Sequence, residues 1–196
     1  MWRGRPAAHP RAGPRAGGGE WWRDGGWAAV PERRRWPKLT AVADVATHLV
    51  LALDVRWGPT QDAPQYLPAL QQACVALHAA APQARITAVL ADAGYDSERN
   101  LAGARALGIR HPVIARNPGR WGAQWPRTPE RRRLARRFPH RRYRQRAQAE
   151  SVFSRLKRVF GATLTARRPA GQLHEVLLRV VAYDIALLRR ATAPFN

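Results

Sequence analysis

"YRQRAQAESVFSRLK", residues 143–157, places one acid in a segment crowded with arginine. Between Arg131 and Gly161 the only carboxylate is Glu150, and twelve Arg or Lys residues share that stretch with it. A solvated basic helix has no need of a lone glutamate, so its neighbours must explain it. On a helix, side chains seven apart return to nearly the same angle, and those three or four apart are neighbours. The segment reads as a helix over residues 144–160, with Tyr143, Arg146, Glu150 and Lys157 in one stripe. Val152, Leu156, Val159 and Phe160 fall on the other face, suited to docking on a sheet. Two readings fit Glu150: an ordinary i, i+4 ion pair with Arg146, or an acid kept on an accessible face for chemistry.

Upstream, "KLTAVADVATHLVLALDVRWG" carries two aliphatic and β-branched runs, Leu39–Val45 and Leu49–Trp57, which read as a hairpin. Apolar residues recur at helical spacing from Tyr66 to Ala80, with Pro64 near the start. "ARITAVLAD", residues 84–92, is a continuously apolar strand of the kind buried in a mixed sheet. Asp92 falls at its C-terminal end, where α/β proteins place ligands and reacting groups. Gly94 permits a sharp turn just after it. The plainer alternative is a strand-ending turn with Asp92 bonded to nearby backbone. Asp96 or Ser97 is expected to cap a helix running to Leu107 and ended by Gly108. "IRHPVIARN", residues 109–117, reads as a further strand, residues 118–142 as an exposed loop or partial helix, and Leu173–Arg190 as the last helix. The order β-β-α-β-α-β-α-α implies an α/β fold: a mixed sheet with an antiparallel hairpin at one side and parallel crossovers beyond it.

The 196-residue chain has the length of one domain with a tail, and its charge is extreme: 34 Lys+Arg against 13 Asp+Glu, a net +21. Such a surface favours a polyanionic partner, nucleic acid before membrane. Residues 1–35 hold eight Arg, seven Gly, four Pro and four Trp without a helix or strand period, and are expected to be disordered. The ordered domain is expected over residues 36–192. The single cysteine, Cys74, excludes an intramolecular disulfide and a cysteine zinc cluster; with His78 on one helix face it reads as core packing. The longest apolar stretch, Leu173–Leu188, is interrupted by Glu175, Arg179 and Asp184, so a soluble, cytoplasmic protein without a membrane partner is expected. A strand-end aspartate and a helix glutamate facing one place are hard-oxygen ligands suited to Mg²⁺, an ion that activates and stabilises oxygens in phosphodiester chemistry.

These residues resemble a known family, the DDE transposases of bacterial insertion sequences, in particular the IS-four and IS-five groups. Tyr143, Arg146, Glu150 and Lys157 stand at the spacing of the signature Y-x2-R-x3-E-x6-K. "ADAGYDS", residues 91–97, is similar to the family segment holding the second catalytic aspartate, which maps to Asp92. "WPKLTAVADVATHLVLALDV" is similar to the hairpin after the first catalytic strand, and "GPTQDAP" lies where the family often has an acid before its first long helix. The resemblance implies an RNase H-like fold, a mixed sheet flanked by helices, in which three carboxylates bind two Mg²⁺ (or Mn²⁺) ions. It implies that Asp92 and Glu150 are catalytic metal ligands, and that Tyr143, Arg146 and Lys157 hold transposon-end DNA. The implied partners are transposon ends and target DNA, with a homodimer acting on paired ends in the nucleoid.

One part of the pattern is missing. The family's first carboxylate lies on an apolar strand before the hairpin, and upstream of Trp36 the only aspartate is Asp24, with no apolar strand before it. Asp44 and Asp54 align with non-catalytic positions and have ordinary turn and edge readings. The expectation is an N-terminally truncated or frameshifted transposase lacking its first catalytic strand, with a weakened metal site and no activity. The alternative is a non-catalytic basic nucleic-acid-binding protein, in which the same helix simply grips phosphates. A weaker third reading is a mistranslated fragment that does not fold stably.

Overall fold

The computed structural model describes residues 37–58, 60–117 and 125–192. Strands β1 (Pro37–Ala43) and β2 (Val50–Trp57) form the expected hairpin, with Leu39 opposite Val55 and Ala41 opposite Leu53. The turn is held by Asp44, whose carboxylate accepts hydrogen bonds from the Thr47 backbone N–H and hydroxyl, both at 2.7 Å. His48 takes a positive φ of 64° to close it. Asp44 is therefore a turn residue. Helix α1 (Tyr66–Ala80) follows, burying Tyr66, Ala69, Leu70 and Ala73. His78, expected in the core, is exposed, because the inward stripe of α1 runs along those four residues.

Strand β3 (Ala88–Ala91), helix α2 (Glu98–Ala106) and strand β4 (His111–Ile114) make a β-α-β unit whose strands pair in parallel, Ala88 with His111 and Ala91 with Ile114. Ser97 supplies the α2 cap, accepting from the Asn100 N–H at 3.1 Å. Gly108, at a φ of +82°, takes the left-handed step that turns the chain toward β4. The remaining helices are α3 (Pro129–Arg136), α4 (His140–Tyr143), α5 (Ala147–Phe160) and α6 (Pro169–Thr192). The segment expected to be loop or partial helix thus contains α3 and α4, and residues 118–124, Trp121 among them, lie outside the described residues. So does the segment 1–35 with Asp24.

The α/β, RNase H-like character expected from the sequence is present, but the strands form two separate ladders, β1-β2 and β3-β4, with no hydrogen bonds joining one to the other. Each ladder has its own core. Leu39 of the hairpin packs with Val152, Phe153 and Leu156 of α5 and Val176, Val180 and Tyr183 of α6. The other core joins Tyr66 and Leu70 of α1, Ala91 and Ile114 of the parallel pair, and Leu101, Ala104 and Ile109 around α2. On α5, Val152 and Leu156 dock as expected, but Val159 in the last turn is 64% exposed and Phe153 takes the inward position instead. Asp184 interrupts the apolar face of α6 because its carboxylate accepts the Val50 N–H at 3.0 Å, tying α6 to the start of β2. Among the described residues, no helix is long and apolar enough to cross a membrane.

Helix α3 is fastened to α2 by acids. Glu98 accepts from the backbone N–H groups of Glu130 and Arg131 at 2.9 and 3.1 Å, capping α3 from outside. Asp96 takes both prongs of the Arg131 guanidinium, at 2.9 and 2.7 Å. Burial pushes the Glu98 carboxyl up, but the two N–H bonds and the nearby Arg131 outweigh it and hold the group below its ordinary value. A depressed carboxyl contributes stability that is complete above the unfolded glutamate value, about 4.3, and is lost as pH falls through the lower folded value. Glu98→Gln is therefore expected to lower Tm by about 2–4 °C at neutral pH. That gap to the parent should close in melts below about pH 4.

Candidate active site and nucleic-acid interface

Asp92 follows the last residue of β3, and the turn Ala93–Tyr95 begins immediately after it. Its backbone is extended and its side chain makes no cap bond with that turn, so the carboxylate points away from it. Gly94 lets the turn lie close to Asp62: a Cβ at this position would stand 2.9 Å from the Asp62 carboxylate, which would have to shift. Asp62 is ion-paired with Lys38, so an acid before α1 and the base of β1 both brace the Asp92 turn. Sequence reasoning noted an acid in "GPTQDAP" without seeing this role, because only the fold brings it to Gly94.

The Arg144–Arg146 turn leads into α5, and Glu150 lies in the first turn of that helix, where the helix dipole favours an anion. Arg146 joins the two carboxylates. One guanidinium nitrogen, Nη1, lies 3.0 Å from Asp92 Oδ1, 3.1 Å from Asp92 Oδ2 and 2.8 Å from Glu150 Oε1. The ordinary i, i+4 pair is thus present, and Asp92, 54 positions from Arg146 in sequence, shares the same guanidinium. The Asp92 and Glu150 side chains are 47% and 59% exposed. Ion pairs so open to water stabilise a fold by only about 0–1 kcal/mol, so stability is a weak reason for this cluster to exist. Burial draws the Arg146 guanidinium down, yet Asp92, Tyr143 and Glu150 together hold it above its ordinary value.

Tyr143 completes the cluster. Arg146 lies over its ring, 5.7 Å from the centroid, and Phe138 packs edge-on at 5.1 Å. Burial, helped by the negative charge of Asp92 and Glu150, raises the Tyr143 hydroxyl above its ordinary value, against the pull of Arg146. Tyr143 is a neutral phenol able to donate a hydrogen bond at physiological pH. Lys157 lies on the same helix but is not joined to the cluster by any hydrogen bond or ion pair, being seven residues or about 10 Å further along the axis. Asp54 is occupied on β2 by Arg56, at 2.8 Å. Among the described residues, no three His, Cys, Asp or Glu side chains group as metal ligands.

Arginine dominates the approach to this site. Arg132, Arg133, Arg136, Arg137, Arg141, Arg142 and Arg144 are all exposed, and Arg132, Arg133, Arg136 and Arg137 line one groove along α3. Trp125 just upstream is 53% exposed. An exposed arginine face thus lies beside Asp92 at a strand end and Glu150 in the first turn of a helix. The chain belongs to the transposase DDE domain family, whose model matches residues 6–185. No curated protein and no solved structure matches it.

Proposed function

We propose that this transposase-family chain grips DNA through the arginine face of α3 to α5, and that Asp92 and Glu150 are two of the carboxylates of a DDE centre no longer able to cleave. The observation that carries the reading is the meeting of both acids on Arg146, at 2.8 to 3.1 Å. Two carboxylate ligands are chemically suited to Mg²⁺ or Mn²⁺, but the donor set does not fit a paired-ion site as it stands. The position between the acids is taken by a guanidinium, while Asp44 is engaged by Thr47 and Asp54 by Arg56. Tyr143, Arg146 and Lys157 act in this reading as contacts to transposon-end DNA: a phenol donor, a guanidinium and a point charge along one helix. Target DNA would lie against the same face, in the cytoplasm and nucleoid, and joining two ends would require a homodimer.

Purified protein is tested for nicking of supercoiled plasmid with Mg²⁺ or Mn²⁺, beside Asp92→Asn and Glu150→Gln. The expected result is salt-sensitive DNA binding with no nicking by any version. Nicking by the parent that both substitutions abolish would overturn the loss of chemistry and require another residue to supply a third carboxylate. The Arg146–Glu150 pair also favours a second reading, a basic nucleic-acid-binding protein in which Glu150 merely holds Arg146. In that case Glu150→Gln leaves DNA affinity unchanged or slightly tighter, and Arg146→Ala weakens it.

A further inference from the structure

Helix α3 is disfavoured by its own sequence. It has eight residues, fewer than the about 12–15 at which an isolated helix becomes even marginal in water. Arg132 and Arg136 stand one turn apart, as do Arg133 and Arg137, and like charges at that spacing work against a helix. It has no buried residue, although Leu134 reaches the edge of the core that includes α1 and α2. What holds it is mainly two acids at the start of α2. Both Glu98 oxygens are spent on the N–H groups of Glu130 and Arg131, and both Asp96 oxygens on the Arg131 guanidinium. Asp96 Oδ2 also accepts the Asn117 N–H at 2.9 Å, so one carboxylate fixes the chain on either side of the connection from β4 to α3. The Asp96 side chain is 4% exposed, and a carboxylate so withdrawn from water is tolerated because these N–H donors satisfy it. Glu130 is in turn ion-paired with Arg105 of α2. By contrast, Arg132, Arg133 and Arg136 of α3, with Arg137 just after it, are exposed, line one groove and enter no ion pair among the described residues.

We propose that Asp96 and Glu98 are positioning residues for DNA binding: they hold α3 folded and docked, so that the four unpaired arginines meet a duplex as one fixed ridge. This role rests on the reading of the arginine face as a DNA interface, and it names what gives that face its shape. A short basic segment that is not held must be ordered when it binds, and each long side chain immobilised at that moment subtracts from affinity. A segment ordered beforehand avoids the loss. Arg131 is consumed internally by Asp96, while its neighbours on the helix are left for phosphates. The consequence is opposite in sign to simple electrostatics. Each acid stands beside a surface that attracts phosphates, so neutralising it raises the net charge and, by charge alone, tightens DNA binding. As positioning residues, the same acids strengthen binding, and neutralising them weakens it.

The test places Asp96→Asn with Glu98→Gln in two versions of the full chain: the parent, and one in which Arg132, Arg133, Arg136 and Arg137 are all changed to Ala. Affinity for a labelled duplex is read by fluorescence anisotropy at one fixed salt concentration. In the parent, the acid substitutions are expected to weaken binding by about 10-fold or more, the effect of having to order one or two long side chains on binding. Without the four arginines, the same substitutions should change affinity by less than about 2-fold, because the contacts they organise are gone. Glu98 also stands in the first turn of α2, so its loss disturbs that helix, and the second background separates this effect. Equal weakening in both backgrounds would mean damage to the whole fold and overturns the role. Amide hydrogen exchange of the DNA-free acid variant gives a second readout: α3 should lose protection while α1 keeps its own. Unchanged protection of α3 also overturns the role. A parent that does not bind DNA at low salt removes the proposed function and this role with it. A parent that binds, beside an acid variant that binds as well or better, removes this role alone.

Discussion

Raising monovalent salt from about 50 to about 200 mM is expected to weaken duplex DNA binding by a factor of about 10³–10⁵, the loss for a surface that neutralises about 6–10 phosphates. The seven exposed arginines from Arg132 to Arg144, with Arg146 beside them, supply that many contacts on one stretch of chain. Fluorescence anisotropy against log salt gives the slope directly. Arg132→Ala combined with Arg136→Ala should reduce it by about 2, with little preference among DNA sequences. A chain starting at Pro37 should keep most of the slope, although residues 1–35 carry eight Arg. A nearly flat salt dependence, or a slope that vanishes with the upstream segment, would remove α3 to α5 as the interface.

Leu101→Ala is expected to cost about 2–5 kcal/mol, a large part of the roughly 5–15 kcal/mol that holds a typical domain folded. Leu101 is 1% exposed and packs at the centre of the core that joins α1, α2 and the parallel strands. Gly103 on the same helix lies so close to Leu67 that a Cβ there would come within 2.6 Å of its methyl, which leaves little room for α1 and α2 to close over the lost volume. Ala91, next to Asp92, belongs to the same core, so the substitution should loosen the site as well as the fold. Thermal unfolding followed by circular dichroism measures the loss, with Val181→Ala, at a position 53% exposed, as a control expected to stay within about 0.5 kcal/mol. A Leu101→Ala melt indistinguishable from the parent would mean that this core does not form, and would favour an unstably folded fragment.

Several features were legible because local pattern and tertiary context agree. The hairpin, the span of α1, the Ser97 cap and the Gly108 stop each depend on residues close in sequence, and all are found within a residue or two of their expected limits. Helix α3 was not legible, because it has no buried residue to give it an apolar period. Its start is secured instead by Glu98, more than thirty positions away. Asp96 illustrates the same limit: a residue with the chemistry of a cap is used to clamp Arg131, while its neighbour does the capping.

By itself, the sequence determined the basic charge, the order of the four strands with α1 and α2, and the placing of Arg146 and Glu150 one helical turn apart, since charge and helical spacing are properties of the chain alone. It also singled out Asp92, through an apolar run that ends in an acid and a glycine. Only the tertiary structure decided that Asp92 and Glu150 share one guanidinium, that Asp62 lies against the turn after Asp92, and that Lys157 stays apart. Only the tertiary structure decided, too, that the described strands divide into two ladders. Hydrogen bonds between strands, and ion pairs between residues far apart in sequence, depend on where the cores bring segments together, and neighbouring residues carry no record of that.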